Sequence, residues 1–200
     1  MDFNTENKLY DWVRGFTVDF DKNTGFSSLM ETGKRYLSQM QGMYLDTAAE
    51  AEALRQGDPL VYEFHSCPAP LHAGDIAFGC SIVYPGKVGE EYYMTKGHYH
   101  DPADTCEVYY CLSGHGYMML ENEQGDWSCL ELTSGHACYV PKYYAHRSIC
   151  VGKDEPLVTF FTFRADAGHN YGAIETKGYR KLLVERDGKP TIIDNPKWGK

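Results

Sequence analysis

The chain has 200 residues, 42% of them hydrophobic and 14% aromatic, and a formal net charge of -9 at pH 7. That is apolar material for one domain with a substantial core and is short for two, while the acidic balance argues against nucleic acid or an anionic membrane as partner and leaves room for a local basic pocket. No apolar run approaches a membrane span, and Met1-Asp2-Phe3-Asn4-Thr5-Glu6 lacks the basic and then apolar regions of a signal peptide, so a cytoplasmic location is expected.

Residues 1–59 read as an N-terminal arm carrying one short helix. Asp21-Lys22-Asn23-Thr24-Gly25 is a turn, with no sustained hydrophobic period on either side of it up to Met43. Thr47-Ala48-Ala49-Glu50 has the spacing of a capping box, ahead of an alanine- and glutamate-rich segment that stops at Gly57 with Pro59 beyond it.

From Leu60 onward the pattern changes to short apolar or aromatic runs between turn signals. The runs are Leu60 to Phe64, Ile76 to Tyr84, Tyr92 to Thr95, Val108 to Leu112, Tyr117 to Glu121, Trp127 to Leu132, Ala137 to Val140, Arg147 to Val151, Leu157 to Phe163, Tyr179 to Glu185 and Thr191 to Ile193. Pro85-Gly86, Ser113-Gly114, Gln124-Gly125-Asp126, Ser134-Gly135, Gly152-Lys153-Asp154 and Asp187-Gly188 punctuate them. Strands of this length with no long helix between them predict an all-β fold, an antiparallel barrel or double-sheet jelly roll, with its core over 60–194 and a tail over 195–200. No internal repeat or low-complexity linker divides the chain, so residues 1–200 are read as a single domain. The cysteines Cys67, Cys80, Cys106, Cys111, Cys129, Cys138 and Cys150 are odd in number, form no C-x-x-C pair and mostly fall within apolar runs, which fits reduced core thiols.

One stretch is out of keeping with an apolar barrel interior. In Gly97-His98-Tyr99-His100 the two imidazoles are two residues apart, so on an extended segment they project to one side and are able to share an ion, while Tyr99 points away. Glu107 follows after a polar, proline-containing turn, at the start of the run that continues as Val108-Tyr109-Tyr110-Cys111-Leu112, so a neighbouring strand can carry its carboxylate alongside them. Histidines and a glutamate at inward strand positions are costly unless a metal or hydrogen bonds compensate them. The isolated His65, His72, His115 and His136 are read as structural or surface residues.

Gly97-His98-x-His100, Glu107 and Gly114 resemble the first motif of the cupins, with a longer gap before the glutamate than is usual; Gly135, Pro141 and Ala145-His146 resemble the second, with Tyr143 at a common glycine and Cys150 at a common asparagine. A more specific likeness lies in Tyr84-Pro85-Gly86-Lys87-Val88-Gly89, Thr95 to His100, Glu107-Val108-Tyr109, Tyr139-Val140-Pro141, Ala145-His146-Arg147, Ala165 to Gly172 and Asp194 to Trp198. These segments, and the six-residue gap before Glu107, resemble the cupin-type glucose-6-phosphate isomerases. The resemblance implies a double-stranded β-helix, usually a homodimer, that interconverts glucose 6-phosphate and fructose 6-phosphate in glycolysis and gluconeogenesis with a divalent metal held by His98, His100, Glu107 and His146.

Imidazole ligands suit iron, zinc, nickel or manganese better than calcium, and the resemblance points to Fe2+, with Zn2+, Mn2+ or Ni2+ as substitutes. Glu107 is the candidate general base, although a carboxylate bound to a cation is a weaker proton acceptor; either it leaves the metal when substrate binds, or the transfer is a hydride shift that needs no base. Candidate contacts to the phosphate are Thr95, Lys96, the Gly97 amide, His169 and Tyr171, and by position in the family motif the substrate-binding candidate Ser81 stands where a threonine often does, while Tyr109 and Tyr143 resemble sugar-facing aromatics. The cupin barrel also hosts metal-dependent dioxygenases and non-catalytic sugar-phosphate-binding modules. The cluster Ala165 to Gly172 and the approach Thr95-Lys96-Gly97 favour the isomerase over both.

Overall fold

The computed structural model of this chain describes residues 15–67 and 72–198. Residues 1–14, which include the Met1 to Glu6 segment and the start of the arm, lie outside the described residues, as do 68–71 and 199–200. In chain order the elements are β1 (Glu31–Tyr36), a 3-10 turn (Leu37–Met40), α1 (Thr47–Gln56), β2 (Leu60–Ser66), β3 (Ile76–Val83), β4 (Lys87–Val88), β5 (Glu91–Tyr92) and β6 (Tyr99–Asp101). They continue with β7 (Glu107–Ser113), β8 (His115–Asn122), β9 (Trp127–Thr133), β10 (Ala137–Val140), β11 (Tyr144–Cys150), β12 (Leu157–Arg164), β13 (Gly168–Asn170), α2 (Gly172–Lys177), β14 (Lys181–Arg186) and β15 (Lys189–Asp194).

The chain is an all-β jelly roll. A six-stranded antiparallel sheet runs β1-β2-β3-β12-β7-β10, and the remaining strands form β11-β8-β9, β15-β14-β5-β4 and the pair β13-β6. These smaller sheets are stitched together through the segment from Tyr93 to His98, which runs antiparallel to β11: Cys150 N–H donates to Tyr93 O at 3.0 Å and Thr95 N–H to Ser148 O at 2.9 Å. One apolar cluster takes side chains from all these sheets, among them Val61, Val83, Cys111 and Leu157 from the six-stranded sheet and Met118, Leu132, Ile149 and Leu183 from the others. Strand β7 shows why the sequence folds this way: Glu107, Tyr109 and Cys111 are buried and Val108 and Tyr110 exposed, the period of two that puts one face on a core.

Three local expectations differ from what is observed. The helix begins one residue early: Asp46, not Thr47, is the N-cap, its carboxylate accepting from Ala49 N–H at 2.9 Å, and the Glu50 carboxylate turns to Gly42 N–H at 3.1 Å instead of closing a capping box. The segment read as an arm contributes a sheet strand, because β1 pairs with β2 from Glu31↔Ser66 to Arg35↔Tyr62. Of the run Tyr92 to Thr95, only Tyr92 belongs to a strand proper, and Met94 makes a lone bridge to Ile149. No helix among the described residues is long and apolar enough to cross a membrane.

Candidate metal centre and substrate cavity

His98, His100, Glu107 and His146 come from three separate stretches of chain and meet with one potential ligand atom from each inside 4.8 Å of all the others. His98 and His146 face each other across an antiparallel bridge. His100 lies two residues on in β6, on the same side as His98, and Glu107 is the first residue of β7. Gly97 gives the approach its shape. Its φ is +75°, and a Cβ there would meet the Tyr179 hydroxyl at 2.5 Å and the His146 carbonyl oxygen at 3.0 Å, so only glycine lets the chain pass so close to β11 just before the first ligand.

The polar atoms at the centre are incompletely satisfied by protein. His100 Nε2 is hydrogen-bonded to Glu107 Oε2 at 3.0 Å, whereas His146 Nε2 lies 2.8 Å from the same oxygen without the alignment of a hydrogen bond. His98 Nε2 and His146 Nε2 are shielded from solvent and have no hydrogen-bond partner. Orphaned buried nitrogens are expensive, and a shared cation is one way to satisfy several at once. Charge state agrees with this. Burial, reinforced by His146, His169 and His100, pushes His98 well below its ordinary 6.5, so it is neutral with a free lone pair. Burial works to raise the Glu107 carboxyl, but the facing His146 and His100 outweigh it and hold it at about 2. A neutral His98 imidazole and an ionised Glu107 carboxylate, with two further imidazoles beside them, form a donor set suited to a first-row divalent ion, so the residues fit such a group.

Three of the four, His98, Glu107 and His146, line a cavity of about 360 Å³, at the small-metabolite end of the usual range, lined also by Ser81, Thr95, Gly97, Tyr109, His169 and Tyr171. The Tyr109 ring centre lies 5.7 Å from that of His146, and burial, with the Glu107 charge, pushes its phenol well above 10. His169 pairs with His100 in the β13–β6 ladder and its ring centre is 4.2 Å from that of His98. The residue as a whole reaches the surface, but its ring is withdrawn from water, which chiefly drives it down to about 4.

Two of the residues read as substrate contacts are not on this wall. Lys96 turns away, its Nζ 3.0 Å from Glu175 Oε1 on α2, because Thr95 and Gly97 on either side take the inward positions. Tyr143 is 52% exposed in the turn between β10 and β11, with Lys142 Nζ 5.5 Å from its ring centre. Its φ is +68°, so the left-handed turn of the common glycine persists with a side chain present. Tyr99 is turned to a separate cavity with Glu121, Arg180 and Trp198. His65 bonds Thr32 Oγ1 at 3.0 Å, His115 pairs with Glu131 at 2.8 Å, His136 bonds Thr133 Oγ1 at 3.2 Å and His72 lies 3.6 Å from Asp75; none of them lines the 360 Å³ cavity. Sequence reasoning missed Arg35, Tyr62, Phe64, Ser66, Phe161 and Phe163, which complete the lining. The signal for Phe161 and Phe163 was the alternation of β12; Arg35 had only a weak one, a cation in a polar strand.

The family model described as glucose-6-phosphate isomerase matches residues 34–197. A protein of Thermococcus litoralis named glucose-6-phosphate isomerase is 43% identical over 183 residues, covering 92% of this chain and 96% of its own. Its namesake in Pyrococcus furiosus is 40% identical over 192 residues, covering 96% and 100%. Among solved structures, oxalate decarboxylase from Bacillus subtilis is 25% identical over 52% of this chain and 26% of its own, with a TM-score of 0.42. With the family model spanning most of its length and relatives of this identity covered almost end to end, the chain belongs to the glucose-6-phosphate isomerase family and is an enzyme of it.

Proposed function

We propose that this chain is a metal-dependent aldose–ketose isomerase that interconverts glucose 6-phosphate and fructose 6-phosphate, as the names of its relatives suggest. The observation that carries the metal dependence is the convergence of His98, His100, Glu107 and His146 on one point, beside a cavity that three of them line, with buried ring nitrogens lacking partners. These four would hold the ion, by resemblance Fe2+, with Zn2+, Mn2+ or Ni2+ as substitutes. When bound, the ion would supply Lewis-acid polarisation of the sugar oxygens at C1 and C2 and offset the negative charge that develops on them.

The chain's own groups do the rest. Going from aldose to ketose, C2 loses a proton and C1 gains one, while the O2 hydroxyl proton is lost and O1 is protonated. Glu107, the carboxylate that lines the cavity, is assigned the carbon-bound proton. A carboxyl held at about 2 is a weak acceptor, so this role requires Glu107 to act while released from His100 and His146. Phe161 and Phe163 exclude water from one wall, and Ser81, Thr95, the Gly97 amide, His169 and Tyr171 offer hydrogen-bonding groups to the hydroxyls and phosphate.

We read residues 1–200 as one cupin domain acting as a homodimer in the cytoplasm. Val108 and Tyr139, directly opposite on the outer face of β7 and β10 and both exposed, support an interface there, and the free thiols of Cys80, Cys106, Cys111, Cys129, Cys138 and Cys150 support a reducing compartment. The test is production of NADPH from fructose 6-phosphate, coupled through glucose-6-phosphate dehydrogenase, by metal-stripped and Fe2+-reconstituted protein. Turnover only in the reconstituted sample is expected; none with any added divalent metal would sink the reading.

A further inference from the structure

Lys96 sits between two residues of the cavity wall without belonging to it. Thr95 and Gly97 line the cavity, and the Lys96 side chain leaves on the other side, where its Nζ lies 3.0 Å from Glu175 Oε1 on α2. The main chain beneath it is pinned to β11. Thr95 N–H donates to Ser148 O at 2.9 Å, His98 N–H to His146 O at 3.2 Å, and Arg147 Nη2 donates to the Lys96 carbonyl oxygen at 2.8 Å. The amine is therefore carried on a fixed base.

Its partner is less firmly held. The run from β13 into α2 brings His169 and Tyr171 to the cavity. Its main chain is joined to the ligand strand by the three-residue pairing of β13 with β6, and it continues into a helix of six residues with one buried side chain, Ile174. A helix that short does not sustain itself in isolation. Among the described residues, the Lys96–Glu175 contact is the one side-chain hydrogen bond that ties α2 to another element, since the Thr176 hydroxyl turns back to the Gly172 and Ala173 carbonyl oxygens of its own helix. Movement of α2 would reach the metal ligands through stacked rings. Tyr171, the residue just before the helix, lies with its ring centre 6.0 Å from that of His169 at 19° between planes, and the His169 ring centre is 4.2 Å from that of His98.

We infer that Lys96 and Glu175 are a positioning pair: their ion pair clamps α2 against the chain segment that leads into the ligands, fixes the His169–Tyr171 wall of the cavity, and lets Lys96 act on the substrate through that wall without touching it. This rests on the isomerase reading above. The Lys96 side chain is 23% and the Glu175 side chain 48% exposed, and a pair so placed shifts a local equilibrium about 2- to 5-fold. A looser wall of binding groups is read in KM more than in kcat.

Two measurements on the metal-loaded protein test it. Lys96→Met and Glu175→Gln should each raise KM for fructose 6-phosphate about 2- to 5-fold with kcat changed less, and the double variant should be no worse than either single one. Native-state hydrogen exchange of the Glu175 and Gly178 amides, which donate to Tyr171 O and Ile174 O at 2.9 Å each, should quicken by about the same factor in both single variants with no substrate present. A lysine that bound the phosphate itself would behave differently: Lys96→Met would raise KM, and Glu175→Gln, by releasing the amine, would lower it. That pattern, additive effects of the two substitutions, or unchanged exchange at α2 overturns the assignment. If the wild type isomerises no sugar phosphate with any divalent metal, the isomerase reading falls, and the exchange comparison still decides whether the ion pair holds α2.

Discussion

His98 and His146 are joined through their backbones before their side chains are considered: His98 N–H donates to His146 O at 3.2 Å and His146 N–H to His98 O at 3.1 Å. In such a reciprocal pair both side chains project to the same face about 5.5 Å apart at Cα. Two imidazoles are therefore brought to one point by main-chain geometry alone. Replacing either histidine by alanine should leave this bridge, and most of the stability, in place while bound metal per chain falls sharply. The loss of metal affinity should exceed the about 10- to 100-fold that follows loss of an outer partner. Metal analysis with thermal melts checks this, and full metal occupancy in His98→Ala would remove His98 from the ligand set.

Glu107→Gln keeps the shape of the side chain and removes its negative charge. In metal-replete protein the rate should fall about 100- to 10,000-fold if the carboxylate moves the proton. The wild-type reaction in deuterium oxide should then place deuterium in the product at the carbon that gained hydrogen. A fully active variant would rule out the base, and product without deuterium would point to a hydride shift.

Arg147 braces the approach to the ligands from behind. It is buried, stacks its guanidinium 4.0 Å from the Tyr179 ring centre, and donates from Nη2 to Lys96 O at 2.8 Å. Arg147→Met should cost about 1–3 kcal/mol through the unpaired carbonyl alone, at about 2–4 °C of Tm for each kcal/mol, and should weaken metal binding through the displaced Gly97-His98 segment. A lower Tm with unaltered metal affinity would restrict Arg147 to packing.

Tyr143 pays a conformational penalty that glycine would not. A side chain at φ +68° costs about 1–2 kcal/mol, so Tyr143→Gly should be as stable as the wild type or slightly more so. The exposed Tyr139, in strand β10, is the control: there the same change should lose about 0.5–1 kcal/mol. Equal destabilisation at both positions in chemical denaturation would contradict the strain.

Glu121 gives a pH dependence with a definite sign. Burial raises its carboxyl above 4.5, against the opposing pull of the Arg180 N–H, which donates to Oε2 at 2.7 Å, and of the Arg180 guanidinium. The folded state then holds the proton more tightly than the unfolded one, so this contribution is present below the unfolded value and lost as pH rises through the folded one. Tm measured across the acidic range should fall less on raising the pH in Glu121→Gln than in the wild type. Glu107 has the opposite sign, stabilising above its unfolded value and losing that as pH falls toward 2.

Strand β7 could be read in the sequence because its residues alternate in character as they alternate in burial, and the ligand histidines because two residues on a strand share a face. Strand β1 could not: Glu-Thr-Gly-Lys-Arg-Tyr presents little apolar surface, its stability comes from pairing with β2, and pairing leaves no periodic trace in composition. Arg35 was hidden with it. Lys96 shows the reverse error, since the alternation that turns Tyr99 away also turns Lys96 away, but charge suggested a phosphate contact. The Asp46 cap was obscured by a threonine beside it that is equally able to cap.

The pairing of Glu107 with Phe163 in β12 and with Val140 in β10 also makes the site a check on assembly. A slip of one residue in that register would turn Val108 inward and send the carboxylate into solvent. Three histidines would then face an apolar side chain, and the misaligned chain would be inert as well as unstable. Correct alignment of β7 and competence for chemistry are one condition.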